Sequence, residues 1–116
     1  MEPIIEYWPN GHKLCEKWIV NDDPHREDGP AYQEWYDNGQ MKIENYWVED
    51  RLHRINGPAI KQWYSDGKLR YDQWFINGDE IEDPEPYKQW LIDNNLYEKY
   101  PWTDAELVLW RLTWNL

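Results

Sequence analysis

Side chains in three stretches of this chain alternate with the two-residue period of a β-strand. From His12 to Val20, Leu14, Glu16, Trp18 and Val20 fall on one side, and Lys13, Cys15, Lys17 and Ile19 on the other. Further on, Lys42, Glu44, Tyr46 and Val48 oppose Met41, Ile43, Asn45 and Trp47. Arg70, Asp72, Trp74 and Ile76 likewise oppose Leu69, Tyr71, Gln73 and Phe75. Each stretch follows a shorter strand, Ile4 to Trp8 in the first case, closed by Pro9-Asn10-Gly11, Asp37-Asn38-Gly39 or Ser65-Asp66-Gly67. Asn-Gly supplies the positive-φ positions of a tight hairpin turn. The pattern therefore predicts three successive hairpins.

The hairpins form a repeat. Gly57 follows Gly29, Trp63 follows Trp35 and Gly67 follows Gly39 at a constant offset of 28 residues, and Gly11 lies one period before Gly39. An internal period of this size marks stacked supersecondary units. Stacking aligns Cys15, Ile43 and Tyr71 in one column and Ile19, Trp47 and Phe75 in another, and this face is the expected core. The other face carries Trp18, Tyr46 and Trp74 beside an acidic row, Glu16, Glu44 and Asp72. Aromatics mixed with acids suit a solvated or partner-facing surface.

Two longer connections share the pattern His-Arg-x-x-Gly-Pro-Ala, beginning at His25 and at His53. Glycine gives backbone freedom, and proline holds the residue before it extended and marks strand entry. Read functionally, the repeated His-Arg of His25, Arg26, His53 and Arg54 would be metal or phosphate ligands. Their recurrence at the repeat interval favours a structural role, with arginines bonding loop carbonyls or carboxylates and imidazoles packing on aromatics. The third connection breaks the pattern. It reads Asp79-Glu80-Ile81-Glu82-Asp83-Pro84-Glu85, with no His-Arg and no Gly-Pro-Ala. Its acids lack the spacing of an EF-hand loop and are interrupted by Pro84, so a solvated acidic loop is expected first and a protein contact second, rather than a cation site. Tyr87-Lys88-Gln89-Trp90 parallels the strand Tyr32-Gln33-Glu34-Trp35 and is counted with the repeats, and residues 91–100 are expected to hold a short helix or a final strand.

Near the end, Thr103-Asp104-Ala105-Glu106 is a capping box. Leu107, Trp110 and Trp114 follow at helical spacing, predicting a short helix over 104–114. The expected fold is mainly β, a single domain over 1–116. It is an antiparallel meander of 28-residue hairpin repeats at 6–33, 34–61 and 62–89, about six to seven strands in all. A cap at 90–116 contains the short C-terminal α-helix.

Ten Trp and nine Tyr against one Phe mean that the core must be built from rings with polar atoms, which pushes many of them to half-exposed positions. The 23 acids and 12 bases leave a net charge of −11. That disfavours direct nucleic-acid binding and anionic membranes and attracts basic proteins. A lone cysteine, Cys15, suits a reducing compartment and reads as a small core residue. Neither a signal peptide nor a membrane span is read, and the expected location is the cytoplasm. No triad, metal cluster or phosphate loop is recognised, so no catalytic residue, metal or cofactor is assigned.

The strings Trp35-Tyr36-x-Asn38-Gly39, Trp63-Tyr64-x-Asp66-Gly67 and the two His-Arg-x-x-Gly-Pro-Ala motifs resemble the MORN-type repeats of bacterial, phage and giant-virus proteins. They are similar in particular to the short variant of MORN-like antitoxins. The likeness covers residues 6–90. It departs from eukaryotic MORN repeats in period and in lacking their Gly-x-Gly spacing, so lipid binding is not carried over. The resemblance implies a hairpin meander and protein–protein contact rather than catalysis.

The expected function is thus a non-enzymatic acidic interaction protein that inhibits or neutralises a basic, nucleic-acid-handling protein. An antitoxin or a phage anti-defence (anti-CRISPR-like) inhibitor acting in the host cytoplasm fits this description. Carboxylates standing in for phosphates, as in a DNA mimic, are one version. Partner-binding candidates are Asp79, Glu80, Glu82, Asp83 and Glu85 with Glu16, Glu44, Asp72, Trp18, Tyr46 and Trp74. The alternative is a small-molecule binder that sequesters a nucleotide signal in an aromatic pocket with His25, Arg26, His53 and Arg54. An end strand of the meander can also pair with a second copy, which would give a homodimer.

Overall fold

A computed structural model of the protein describes residues 2–114. The fold is mainly β. Its strands are β1 (Ile4–Tyr7), β2 (Lys13–Lys17), β3 (Ile19–Val20), β4 (Asp23–Pro24), β5 (Tyr32–Trp35) and β6 (Met41–Asn45). They continue with β7 (Trp47–Val48), β8 (Arg51–Leu52), β9 (Ile60–Trp63), β10 (Leu69–Gln73), β11 (Phe75–Ile76) and β12 (Asp79–Glu80). Two helices follow, α1 (Glu85–Asp93) and α2 (Asp104–Trp114). Six strands make one antiparallel sheet, β1-β2-β5-β6-β9-β10. The other six form three separate small hairpins, β3-β4, β7-β8 and β11-β12.

The main turns use glycine alone at positive φ. Gly11, Gly39 and Gly67 have φ of 93°, 87° and 91°, while Asn10, Asn38 and Asp66 do not enter that region. Gly11 N–H bonds Trp8 C=O at 2.9 Å and Trp8 N–H bonds His12 C=O at 2.8 Å. The register shifts by one residue beside each turn. This is a four-residue turn ending in a left-handed glycine with a bulge, so glycine alone fills the positive-φ role expected of the Asn-Gly pair.

Each long return strand is in fact bent. Trp18 and Tyr46 donate their N–H to Ala31 and Ala59 C=O, both at 2.8 Å, and their own carbonyls accept from His25 and His53. The next two residues then leave the sheet and fold back. Asn21-Asp22, Glu49-Asp50 and Asn77-Gly78 all have positive φ, the geometry of a tight type I′ turn. The connections expected as loops therefore contain hairpins, with strands too short to show a period.

The core lies at the C-terminal end and not on the face expected. Trp74, Ile76, Tyr87, Leu91, Leu96 and Trp110 form the buried cluster, with Ile55, Ile81, Trp90, Tyr97 and Trp102 packed around it. Of the predicted columns, Cys15 is buried but Ile19 and Tyr71 are exposed. A sheet buries a face only where a second layer covers it, and the two helices supply that layer to the third repeat. The segment 87–90, expected as a strand, is the middle of α1. Pro84 and Pro86 lie at its start, where proline is tolerated. At its end Asn95 (φ 58°) lets Leu96 N–H reach Leu91 C=O at 2.8 Å and Asn95 N–H reach Ile92 C=O at 3.1 Å. This pair of bonds closes the helix as a Schellman motif, with Leu91 and Leu96 both buried. The cap thus begins at Glu85, and of the short helix or final strand expected over 91–100 the structure has a helix that starts earlier and ends at Asp93. The second helix runs Asp104–Trp114 as predicted, with Thr103 N–H on Glu106 Oε1 at 2.9 Å and Glu106 N–H on Thr103 Oγ1 at 3.2 Å.

Candidate functional site

The two His-Arg motifs fasten one repeat to the next. His25 Nδ1 accepts the N–H of Glu49 at 2.8 Å, and His53 Nδ1 that of Asn77 at 2.9 Å. Arg26 donates to Asp28 Oδ1 at 2.8 Å and Pro30 C=O at 3.3 Å, with its guanidinium over the Trp18 ring at 4.3 Å. Arg54 repeats this on Asn56 Oδ1 at 2.9 Å, Pro58 C=O at 3.1 Å and the Tyr46 ring at 4.0 Å. Burial pushes the His53 imidazole below its ordinary range, which keeps it neutral and able to accept. The Arg26 hydrogen bond holds the Asp28 carboxyl below its own ordinary range.

Glu16, Glu44 and Asp72 do share one row across the sheet. The register runs Glu16, Gln33, Glu44, Lys61, Asp72 on successive strands. The acids therefore stand two strands apart, about 9–10 Å, separated by an amide and a base. Two of them are engaged locally. Glu16 accepts from Trp18 Nε1 at 3.3 Å and pairs with Lys13 at 3.0 Å, and Glu44 accepts from the Tyr46 hydroxyl at 3.1 Å. Burial, set against the neighbouring Arg54 and helped by Glu44, raises the Tyr46 hydroxyl well above the tyrosine range, so it remains a donor. Trp18 and Tyr46 are half-buried beneath the arginines. Trp74, their counterpart, is 2% exposed and packs edge-on against Tyr87 with centroids 5.8 Å apart. It is a core residue and not a contact surface, because in the third repeat the helices cover the position that arginine covers in the others.

The acidic connection behaves differently. Asp79, Glu80, Glu82, Asp83 and Glu85 are all exposed. Among the described residues none of the five has a basic side chain within 4.0 Å. They follow β10, the last strand of the sheet, whose Leu69 and Tyr71 are 50% and 39% exposed. The sequence offered an end strand of the meander as a pairing edge without saying which end, and the break of the third repeat after β10 is the signal that points to this one.

The cap and the His-Arg loops enclose a cleft of about 590 Å³ lined by Arg26, His53, Arg54, Tyr46, Tyr100 and Trp102 among others. A smaller one of about 370 Å³ takes in His25, Arg26, Trp18 and Tyr100. Three bases of the larger cleft, Arg26, Arg54 and Lys99, are matched by three acids, Glu27, Asp28 and Glu98. Burial pushes the Glu98 carboxyl up, but Lys61, through a hydrogen bond and its charge, and Arg54 together hold it below the carboxylate range. Glu98 and Lys61 are the ion pair that joins cap to sheet, and neither stood out in the sequence. Burial, with Glu6 adding to it, raises the Cys15 thiol, which leaves it protonated and a poor nucleophile. Among the described residues no cluster of three or more His, Cys, Asp or Glu is placed to hold a metal ion, and no helix is long and apolar enough to cross a membrane. Comparison with family models, curated proteins and solved structures gives no match.

Proposed function

We propose that this protein is a non-enzymatic interaction module whose acidic third connection binds a basic surface of another protein, inhibiting or neutralising it. The observation that carries the reading is density, since five of the seven residues from Asp79 to Glu85 are exposed acids. Glu16, Glu44, Asp28, Glu98 and Glu106 are each bonded within the molecule. Among the described residues the five acids of 79–85 pair with no base, and they sit in the connection where the repeat's own His-Arg fastening has been lost. An unpaired acidic run gains its partners from outside and speeds their approach. The likeness to MORN-like repeats supports the same reading, and with it an antitoxin or phage anti-defence role in a cytoplasm. The acidic row of the sheet, interrupted by Gln33 and Lys61, is not a continuous phosphate mimic, so the connection is the better binding element.

The test is capture of partners from a host lysate by the wild type and by a variant with Lys at 79, 80, 82, 83 and 85. Loss of the same basic protein from the variant, and its release by salt, is expected. Identical capture by both would sink the proposal. The larger cleft favours a second reading, sequestration of a small aromatic anion against Tyr46, Tyr100 and Trp102 beside Arg26, His53 and Arg54. Its mark would be a rise in melting temperature with cyclic or linear nucleotides that charge reversal at 79–85 leaves unchanged.

A further inference from the structure

The sheet ends one strand short of its own pattern. At both interior junctions a return strand accepts the first strand of the next repeat. Glu16 meets Gln33 and Lys17 meets Tyr32 at β2-β5, and Glu44 meets Lys61 and Asn45 meets Ile60 at β6-β9. Beyond the strands, Trp18 and Tyr46 N–H close each junction on Ala31 and Ala59 C=O. β10 is the next return strand, and Tyr71, Asp72 and Gln73 occupy the positions of Ile43, Glu44 and Asn45. The strand that would cover it falls on 88–91 by the 28-residue offset, or on 87–90 once the one-residue shortening of the third connection is counted. That segment lies in α1, with Tyr87 in the core. β10 therefore keeps an unpaired edge in a register that the molecule itself defines twice.

We infer that this edge binds an extended segment of a protein partner as a seventh, antiparallel strand. The segment would carry Lys or Arg opposite Asp72 and a β-branched or aromatic residue opposite Gln73. The basic position follows from Lys61, which stands opposite both Glu44 and Asp72. The bulky position follows from Tyr32 and Ile60, which hold it at the interior junctions. Main-chain bonds of this kind give affinity, and alternate side chains give specificity. The inference rests on the protein being an interaction module and adds the mode of recognition.

The occupant is not a second copy. Its β1 would bring Ile5 to the position of Lys61, leaving Asp72 without a counter-charge. The interior turns are tied by Asn10 Nδ2 on Asp37 C=O at 2.6 Å and Asn38 Nδ2 on Ser65 C=O at 3.0 Å. Asp66 stands at that position in the last repeat, and its carboxylate side chain has no N–H to give. Ile81 stands where His25 and His53 accept the next repeat's N–H. Two of the fastenings a second copy would need are missing, and a net charge of −11 opposes self-association.

The probe is a synthetic peptide, Gly-Pro-Ala-Ile-Lys-Gln-Trp-Tyr, copying residues 57–64, the segment that β6 accepts. Amide hydrogen exchange and nuclear Overhauser contacts on the full chain are expected to place it along 70–74. Replacing its Lys by Glu should weaken binding about tenfold, and Asp72→Lys, with folding checked by circular dichroism, should reverse the preference. Contacts on β1, contacts only on 79–85, no protection of 70–74, or indifference to the Lys/Asp72 exchange would each overturn the inference. So would self-association of the chain through β1 and β10 without peptide. The acids of 79–85 are untouched here. Failure of the peptide therefore leaves the partner-capture result standing, and failure of capture leaves the peptide result standing.

Discussion

Gly57 shows how a residue that looks like a turn signal can have another task. It does not take a positive φ. A Cβ there would come within 2.8 Å of the Arg54 guanidinium, which Tyr46, Asn56 and Pro58 hold in place. Gly29 meets Arg26 in the same way at 2.9 Å, but the Arg26 side chain is 21% exposed and that of Arg54 only 9%. Arg26 has room to swing aside and Arg54 does not. We expect Gly57→Ala to destabilise by about 1–3 kcal/mol, as overpacking does, and Gly29→Ala by clearly less. Urea unfolding midpoints of the two variants check the order. The repeated spacing of Gly-Pro-Ala behind His-Arg thus encodes a packing contact, which the motif's composition could not distinguish from backbone freedom.

At the scale of elements, α1 decides how the molecule ends. Its Tyr87 hydroxyl accepts the Trp110 indole N–H at 2.8 Å and donates to Ile55 C=O at 2.5 Å. One side chain therefore joins α2, α1 and the second repeat's connection. Tyr87→Phe keeps the ring and removes both bonds, leaving a buried donor and a carbonyl unmatched. The expected loss is about 2–4 kcal/mol, read as a lower melting temperature with the sheet's circular dichroism retained. Helix α2 was legible because its capping box is local. Helix α1 was not, although Pro84, Pro86 and Asn94-Asn95 bracket it and Tyr87, Trp90 and Leu91 share helical spacing. The repeat offset laid a strand template over the same residues, and the two local readings compete until packing selects one.

For the whole molecule, the radius of gyration is 15.3 Å with extents of 49 × 34 × 23 Å, against about 13 Å for a compact chain of this length. The repeats spread sideways and depend on junctions more than on a common core. One junction titrates. His53 accepts Asn77 N–H only when neutral, and burial lowers its proton affinity in the folded state. Between its folded value and the ordinary histidine value near 6.5, the unfolded chain binds more protons, so stability rises with pH through this window. Stability is fully present above about 6.5 and is lost as pH falls. Urea midpoints measured from pH 7.5 down to pH 5 should fall for the wild type and fall less for His53→Ala.

The sequence by itself determined the period, the hairpins, the glycine turns and α2, because each rests on contacts within a few residues. It also placed the break in the third connection, whose five acids the structure leaves exposed. The tertiary structure alone decided which face of the sheet is covered, that Trp74 belongs to the core while Trp18 and Tyr46 lie under arginines, and that 87–90 fold into a helix. Those choices turn on which apolar surfaces meet across the chain. The equivalent local patterns at Trp18, Tyr46 and Trp74 do not carry that information. The open edge of β10 is the outcome of that selection, since burial of Tyr87 against Trp110 withdraws the strand that the repeat would otherwise have placed beside it.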